Sequence, residues 1–164
     1  MLPIGFELHH GNHKHSDKPS CNGTTQAPKM TTRIKGDGNC FFRAISQVLI
    51  GSQEDHQEVR ALVTTYMLEN ASSNRMLSAL LGPTTTMMQY LKNTKMCNLS
   101  VWATEMEIVA TASMLHTTIY VYSPSGATNK WLRHQPEVAF NDTHHNEAIY
   151  FTNINGHFET VKCM

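Results

Sequence analysis

Apolar residues at helical spacing dominate the first two thirds of the chain. One stripe starts directly after Cys40 and stops near Gly51, and its spacing predicts a helix there. A second stripe predicts a helix that has Ser52 as its N-cap, with Asp55 three residues later. Residues 74–96 are expected to form two shorter helices that a Gly-Pro pair separates. The apolar positions of the two stripes are Phe41, Ile45, Val48 and Leu49, followed by Val59, Leu62, Val63, Tyr66 and Met67.

The remaining third of the chain is patterned mainly as strands. A Thr-x-x-Glu capping box at Thr104 and Glu107 first predicts the start of one more helix. β-branched and aromatic residues then predict a strand over Thr117–Tyr122. A turn at residues 124–126 is expected to lead into a further strand around Trp131.

Two strands close the chain as a predicted hairpin. They cover Glu147–Thr152 and His157–Lys162, and the Asn155-Gly156 pair between them is a turn signal. A short strand is also expected at Met30–Lys35. Because helices come mainly first and strands mainly last, the predicted fold class is α+β, with a helical lobe packed on a small mixed or antiparallel sheet.

Composition divides the chain into a tail and one domain. The length of 164 residues suits a single domain with a sizeable core. Residues 1–29 contain four histidines but no sustained periodicity, so we predict a disordered tail there. A metal site in this tail is not expected, because no second ligand group has convincing zinc spacing. Residues 30–164 are predicted to form the folded domain.

The clearest candidate chemistry lies in the segment 36–44. Two glycines and the turn formers Asp37 and Asn39 precede Cys40, so a flexible loop is expected to run into the first turn of a helix. The positive end of the helix favours the thiolate over the thiol. Free amides in the preceding loop can stabilise an oxyanion. A nucleophile and an anion hole in one short segment indicate acyl transfer through a thioester.

A base for this nucleophile is available near the C-terminus. Strand alternation after the Asn-Gly turn places His157 and Glu159 on one face and Phe158 on the other. Glu159 then lies about 7 Å along the strand from His157, where it can orient the imidazole. The three roles of nucleophile, base and orienter define the arrangement, whatever their order along the chain.

These motifs resemble those of a known protein family. The segment 37–44, Asp-Gly-Asn-Cys-Phe-Phe-Arg-Ala, resembles the nucleophile motif of the OTU (ovarian tumour) family of cysteine deubiquitinases. The blocks Trp102–Ala110 and Thr118–Val121 are similar to the middle segment of that family, and His157–Glu159 is similar to its terminal histidine motif. The blocks occur in family order and span roughly residues 30 to 162.

The resemblance implies a papain-like fold with its active site in a cleft, and a thiol-dependent hydrolase that cleaves (iso)peptide bonds after the ubiquitin C-terminus. It implies that Cys40 attacks the carbonyl while His157 serves as general base and then acid. The family usually has Asp or Asn two residues after the histidine, whereas Glu159 stands there in this chain. We interpret the Asp37 side chain as fixing the loop. The candidate catalytic residues are therefore Cys40, His157, Asp37 and Glu159, and the oxyanion-hole loop is Asp37, Gly38, Asn39 and Cys40.

Two aromatic residues are candidates for the substrate cleft. Trp102 is expected either to line this cleft or to anchor its helix in the core. Phe158, next to His157, is the other cleft candidate. The implied partners are ubiquitin, polyubiquitin and ubiquitinated proteins, and the domain is expected to act as a monomer. We expect no cofactor and no metal.

The charge balance and the cysteines indicate which partners and which cellular location to expect. Thirteen basic residues balance thirteen acidic ones, so neither nucleic acid nor an anionic membrane is an expected partner. No apolar run approaches the roughly 20 residues that span a bilayer, and the first residues do not resemble a secretory signal. The four cysteines contain no CxxC pair and are expected to be reduced. A cytoplasmic or nuclear location follows as an expectation.

Two alternative functions share the same motifs. One is a catalytically weak or inactive ubiquitin-binding module, which the unusual Glu159 favours. The other is a cysteine protease that acts on a ubiquitin-like modifier, because specificity resides in surface contacts that motifs do not encode.

Overall fold

The computed structural model describes residues 27–125, 128–137 and 148–163. The predicted tail therefore lies outside the described residues up to position 26. The helices are α1 (Cys40–Ile50), α2 (His56–Asn70), α3 (Arg75–Leu81), α4 (Met87–Thr94) and α5 (Glu105–Met114). The strands are β1 (Met30–Thr32), β2 (Ile119–Ser125), β3 (Thr128–His134), β4 (Ile149–Ile154) and β5 (His157–Cys163).

The strands form one mixed sheet in the order β1-β5-β4-β2-β3. β2 and β4 pair in parallel, whereas the other neighbours are antiparallel. The α+β class and the closing hairpin are thus confirmed. The hairpin turns at Asn155 and Gly156, both of which have positive φ angles, as this turn signal requires.

Several predicted boundaries were wrong. β2 covers Ile119–Ser125 and so includes part of the predicted turn at residues 124–126, and β4 extends to Ile154. α2 begins at His56, because the Ser52 hydroxyl accepts the backbone N–H of Glu54 and holds a turn ahead of the helix. β1 ends at Thr32, since the chain leaves the sheet after this residue and runs as a loop toward Cys40.

An aromatic cluster joins the start of α1 to the sheet. The ring of Phe41 lies 5.3 Å from that of Phe158 and 6.1 Å from that of Phe151, both with edge-to-face geometry. All three side chains are at most 3% exposed. Burying rings of this size contributes roughly 1.5–3 kcal/mol each relative to exposure. The cluster therefore fixes the first turn of α1 against β5, the strand that begins at His157.

The capping box of α5 forms as predicted. Glu107 accepts the backbone N–H of Thr104 at 2.7 Å, and its other oxygen accepts the Tyr90 hydroxyl at 2.9 Å. Glu107 is fully buried, and burial raises the pKa of its carboxyl above the usual range. Within the described ranges, no helix combines the length and apolarity needed to cross a membrane.

Candidate active site

Cys40 is the first residue of α1 and is 6% exposed. Its Sγ lies 3.7 Å from the carbonyl oxygen of Gly156, to which the thiol donates. Gly156 directly precedes His157, which is the first residue of β5. The fold thus brings the two predicted catalytic segments together although 116 positions separate them in sequence.

The loop at residues 36–39, which we call the nucleophile loop, is held by an ion pair. Both carboxylate oxygens of Asp37 accept the Nε–H of Arg43, and Nη2 of Arg43 lies 2.8 Å from Oδ2. The hydrogen bond from Arg43 holds the pKa of the Asp37 carboxyl well below its usual range. Asp37 also accepts the backbone N–H of Asn39 at 3.1 Å. It therefore fixes the shape of the loop from within.

Replacing Asp37 by asparagine should test this role. The change leaves the buried Arg43 cation with only the longer ion pair to the exposed Glu54 carboxylate at 3.5 Å, so we expect a loss of about 2–3 kcal/mol in the free energy of unfolding. Because the folded pKa of Asp37 is depressed, its contribution is complete above its ordinary pKa of 3.8 and is lost as the pH falls below it. Urea unfolding at pH 7 and pH 3 measures both effects. An equal difference between the two proteins at both pH values would contradict the assignment.

Asn39 does not serve as a free oxyanion donor. Its amide is already bound to Asp37. Its side chain is buried, and Oδ1 accepts the backbone N–H of Ser100 at 2.7 Å and Nη2 of Arg60 at 2.9 Å. The backbone N–H of Cys40 belongs to the first helical turn, where amides have no intrahelical acceptor. The Cys40 amide is accordingly the donor best placed for an oxyanion. Asn39 instead links the loop to the segment around Ser100 through its side-chain oxygen.

Gly38 is required by both its conformation and its neighbour. Its φ angle is +80°, a region that residues with a Cβ rarely adopt. A Cβ at this position would also collide with the backbone of Ser100. The nucleophile loop therefore packs directly against the backbone at Ser100. A movement of either segment would require the other segment to move as well.

The imidazole of His157 lies beside the carboxylate of Glu159. Nε2 of His157 is 3.8 Å from Oε1 of Glu159, which is ion-pair distance but too long for a hydrogen bond. The second oxygen of Glu159 accepts the hydroxyl of Thr31 at 2.6 Å, so β1 holds this carboxylate in place. Glu159 remains the candidate orienter.

The other side of the imidazole faces the nucleophile loop. A Cβ on Gly36 would lie 3.5 Å from Cε1 and 3.6 Å from Nδ1 of His157, which is ordinary van der Waals contact, so the loop passes directly beside the ring. An open cleft of about 680 Å³ begins here. It is lined by Arg33, Ile34, Lys35, Gly36, Gln53 and His157.

The two aromatic cleft candidates have different positions. Phe158 belongs to the core cluster and is 3% exposed, so its assignment to the cleft was wrong, because strand alternation turns it away from His157. Trp102 is 60% exposed and therefore does not anchor the core. Its indole lies against Gly156, where a Cβ would collide with the ring. Trp102 thus covers the turn that precedes His157.

The family assignment follows from comparison with known proteins. The family model described as OTU-like cysteine protease matches residues 35–158, a range that includes Cys40 and His157. This chain belongs to the OTU family. It is 28% identical over 90 residues to OVARIAN TUMOR DOMAIN-containing deubiquitinating enzyme 7 of Arabidopsis thaliana, a match that covers 55% of this chain and 23% of that protein. The chain thus spans about a quarter of this relative.

Solved OTU structures share the fold. The OTU domain of OTUD1 superposes with a TM-score of 0.63 at 22% identity, covering 80% of this chain and 83% of that one. The Hazara virus OTU bound to ubiquitin gives a TM-score of 0.60 at 16% identity, with coverages of 80% and 79%. The helical lobe and mixed sheet described above are therefore the OTU fold.

Sequence reasoning missed several residues that shape this OTU site. Arg43 and Arg60 occur among the apolar residues of predicted helices. A buried cation requires hydrogen-bond acceptors or an anion beside it, so these two positions could have been recognised as sites of buried polar contacts. Thr31 and Ser100 carry no such signal. Their roles depend on a single hydroxyl and a single backbone N–H, which almost any position could supply.

Proposed function

We propose that this OTU domain is a thiol-dependent hydrolase that cleaves bonds after the C-terminus of ubiquitin through a thioester on Cys40. The observation that carries the proposal is the contact between the Cys40 thiol and the Gly156 carbonyl, which brings the nucleophile to the residue before His157. Ubiquitin is supported as substrate by family membership and by the ubiquitin-bound Hazara virus relative.

The side chains have complementary roles in this reaction. Glu159 lies next to Nε2 of His157, which leaves Nδ1 as the ring nitrogen for the thiol. His157 removes the proton of Cys40, and the thiolate adds to the carbonyl carbon of the substrate. The oxyanion lies near the Cys40 amide at the positive end of α1. His157 then gives its proton to the leaving amine, and a water molecule that it deprotonates releases the ubiquitin carboxylate and regenerates the thiol.

A ubiquitin with a C-terminal electrophile tests the substrate and the nucleophile together. We expect wild-type protein to gain the mass of one ubiquitin, with the modified residue identified as Cys40 by peptide mapping. The Cys97→Ala variant is the thiol control, because Cys97 is an exposed free cysteine and the change removes only its Sγ atom, leaving the backbone in place. It should react at the wild-type rate. No adduct, together with fast alkylation of Cys40 by iodoacetamide, would retain the thiol chemistry and reject ubiquitin. A ubiquitin-like modifier would then be the next probe.

If neither reagent modifies Cys40, the inactive ubiquitin-binding alternative replaces the hydrolase. The chemistry would then be absent, and binding of ubiquitin could be measured directly by titration calorimetry. Binding without turnover or alkylation is the result that identifies this alternative.

The contribution of Glu159 is expected to be moderate. Replacing Glu159 by alanine should lower kcat by about tenfold, less than for an orienter in direct hydrogen-bond contact with the imidazole. Thr31→Val keeps the carboxylate but removes its hydroxyl donor, so a smaller reduction is expected. Steady-state hydrolysis of a fluorogenic ubiquitin amide measures both. An unchanged rate for Glu159→Ala would mean that another group orients His157.

A further inference from the structure

Arg60 is a buried cation that contacts the nucleophile loop. It is 1% exposed, and burial lowers the pKa of its guanidinium to about 10. The guanidinium donates to three neutral oxygens, namely the carbonyl of Met96 at 2.9 Å, the carbonyl of Val101 at 2.8 Å and Oδ1 of Asn39 at 2.9 Å. Its carbon also lies 4.0 Å from the ring centre of Phe42. A single side chain therefore links α1, the nucleophile loop and a distant stretch of chain.

That stretch, residues 96–102, forms a bridge segment between the two halves of the active site. On one side, the backbone N–H of Ser100 donates to Asn39 in the nucleophile loop. On the other side, the indole of Trp102 lies against Gly156, the residue before His157. Arg60 holds the carbonyls near both ends of the bridge segment. A shift of this segment would move the nucleophile loop relative to the turn at Asn155 and Gly156, which we call the histidine turn because it directly precedes His157.

We propose that Arg60 is a positioning residue that sets the spacing between Cys40 and His157. It does so directly through Asn39 and indirectly through the bridge segment. The inference rests on the proposed thiol chemistry of this site, but it concerns a residue that contacts neither reacting group. Arg60 acts through the geometry of other residues.

The chemistry of the guanidinium suits this role better than a role in stability alone. The three oxygens that accept from the guanidinium are all neutral, and a well-packed apolar residue is often at least as stabilising as a buried charge. Within the described part of the chain, Nε of Arg60 has no hydrogen-bond partner. The planar guanidinium of Arg60 nevertheless donates to three oxygens that lie in fixed directions around it. A lysine ammonium is a point charge on a flexible stem and does not reproduce this pattern.

Arg60→Lys is the principal test, and Val63→Ala is its matched control. Val63 is fully buried on the same helix but has no part in the site, so its truncation lowers stability alone. We expect Arg60→Lys to lower kcat by about 10- to 100-fold on a fluorogenic ubiquitin amide, with KM within about twofold. Val63→Ala should retain wild-type kcat per folded molecule. Thermal unfolding gives the folded fraction of each variant.

A double-mutant cycle tests whether Arg60 acts through Asn39. We compare Arg60→Lys, Asn39→Ala and the double variant. Residues that act through one shared contact are not additive, so the second change should cost much less than it does alone. Independent, additive reductions in kcat would overturn the direct route through Asn39. Arg60→Lys keeps the positive charge and most of the side-chain length, and thermal unfolding gives the folded fraction of the two variants that carry Asn39→Ala.

Two kinetic outcomes would overturn the proposal as a whole. If Arg60→Lys loses no more kcat than Val63→Ala at the same folded fraction, Arg60 only stabilises the fold. If KM rises while kcat is unchanged, Arg60 shapes substrate binding instead of the catalytic spacing.

Alkylation of Cys40 by iodoacetamide separates failure of this inference from failure of the proposed substrate. The reaction needs the thiol and its base but no ubiquitin. If wild type does not hydrolyse the ubiquitin amide, slower alkylation in Arg60→Lys than in Val63→Ala still supports the positioning role. Equal alkylation rates in those two variants would overturn it.

Discussion

Replacing Cys40 by alanine is expected to abolish hydrolysis of a fluorogenic ubiquitin amide and capture by a ubiquitin electrophile. The thiol is the only group at this position able to form the thioester, and residual turnover should therefore lie at least about five orders of magnitude below wild type. The side chain is small and the change conserves burial, so the fold should be retained. Steady-state kinetics and intact mass measure the two effects.

The controls separate chemistry from folding. Cys97→Ala removes an exposed thiol and should retain full activity, while Cys40→Ala should unfold within a few degrees of wild type. Because Cys40→Ala keeps the binding surface, it should still bind ubiquitin with the wild-type affinity. Hydrolysis by Cys40→Ala at a measurable fraction of the wild-type rate would reject Cys40 as the nucleophile.

Replacing His157 by alanine is expected to give the second largest loss, about three to four orders of magnitude in kcat. General base catalysis alone typically contributes two to four orders of magnitude, and the nucleophile and base act as a unit. His157→Gln keeps much of the ring volume but supplies no base, so it should lose as much activity as alanine. Steady-state hydrolysis of the fluorogenic ubiquitin amide by the three proteins at one fixed pH gives the comparison.

His157 is half-buried at the start of β5, and an exposed residue farther along the same strand serves as a matched control. Lys162 is exposed on the same strand, and Lys162→Ala should leave kcat and the unfolding temperature unchanged. If His157→Gln retains more than about a tenth of the wild-type kcat, the histidine is not the base. The proton would then have to pass to another group in the cleft.

Local signals in the sequence predicted the helices and strands well. The capping box at Thr104 and Glu107, the stripe after Cys40 and the Asn-Gly turn each depend on residues within one or two turns of chain. The start of α2 was misplaced for the same reason. Ser52 has the composition of an N-cap, but its hydroxyl binds Glu54 instead, and this competition between two local hydrogen bonds has no sequence signature.

Long-range packing decided what the local pattern left open. Alternation correctly separated Phe158 from His157, but only the cluster with Phe41 and Phe151 shows which face is core. Trp102 could be read as a core anchor or as a cleft residue, since an aromatic residue suits both. Its contact with Gly156 settles its place on the surface beside the histidine turn.

By itself, the sequence determined the fold class and predicted the segments that carry Cys40 and His157 as catalytic, because periodicity, capping and short motifs depend on neighbouring residues. Only the tertiary structure decided that Asn39 is a structural tie, that Thr31 holds Glu159 and that Arg60 joins the two halves of the site. These contacts join residues that lie 21 to 128 positions apart. Their acceptors and donors are common hydroxyls, amides and carbonyls, and only the folded chain selects which of many identical groups meet.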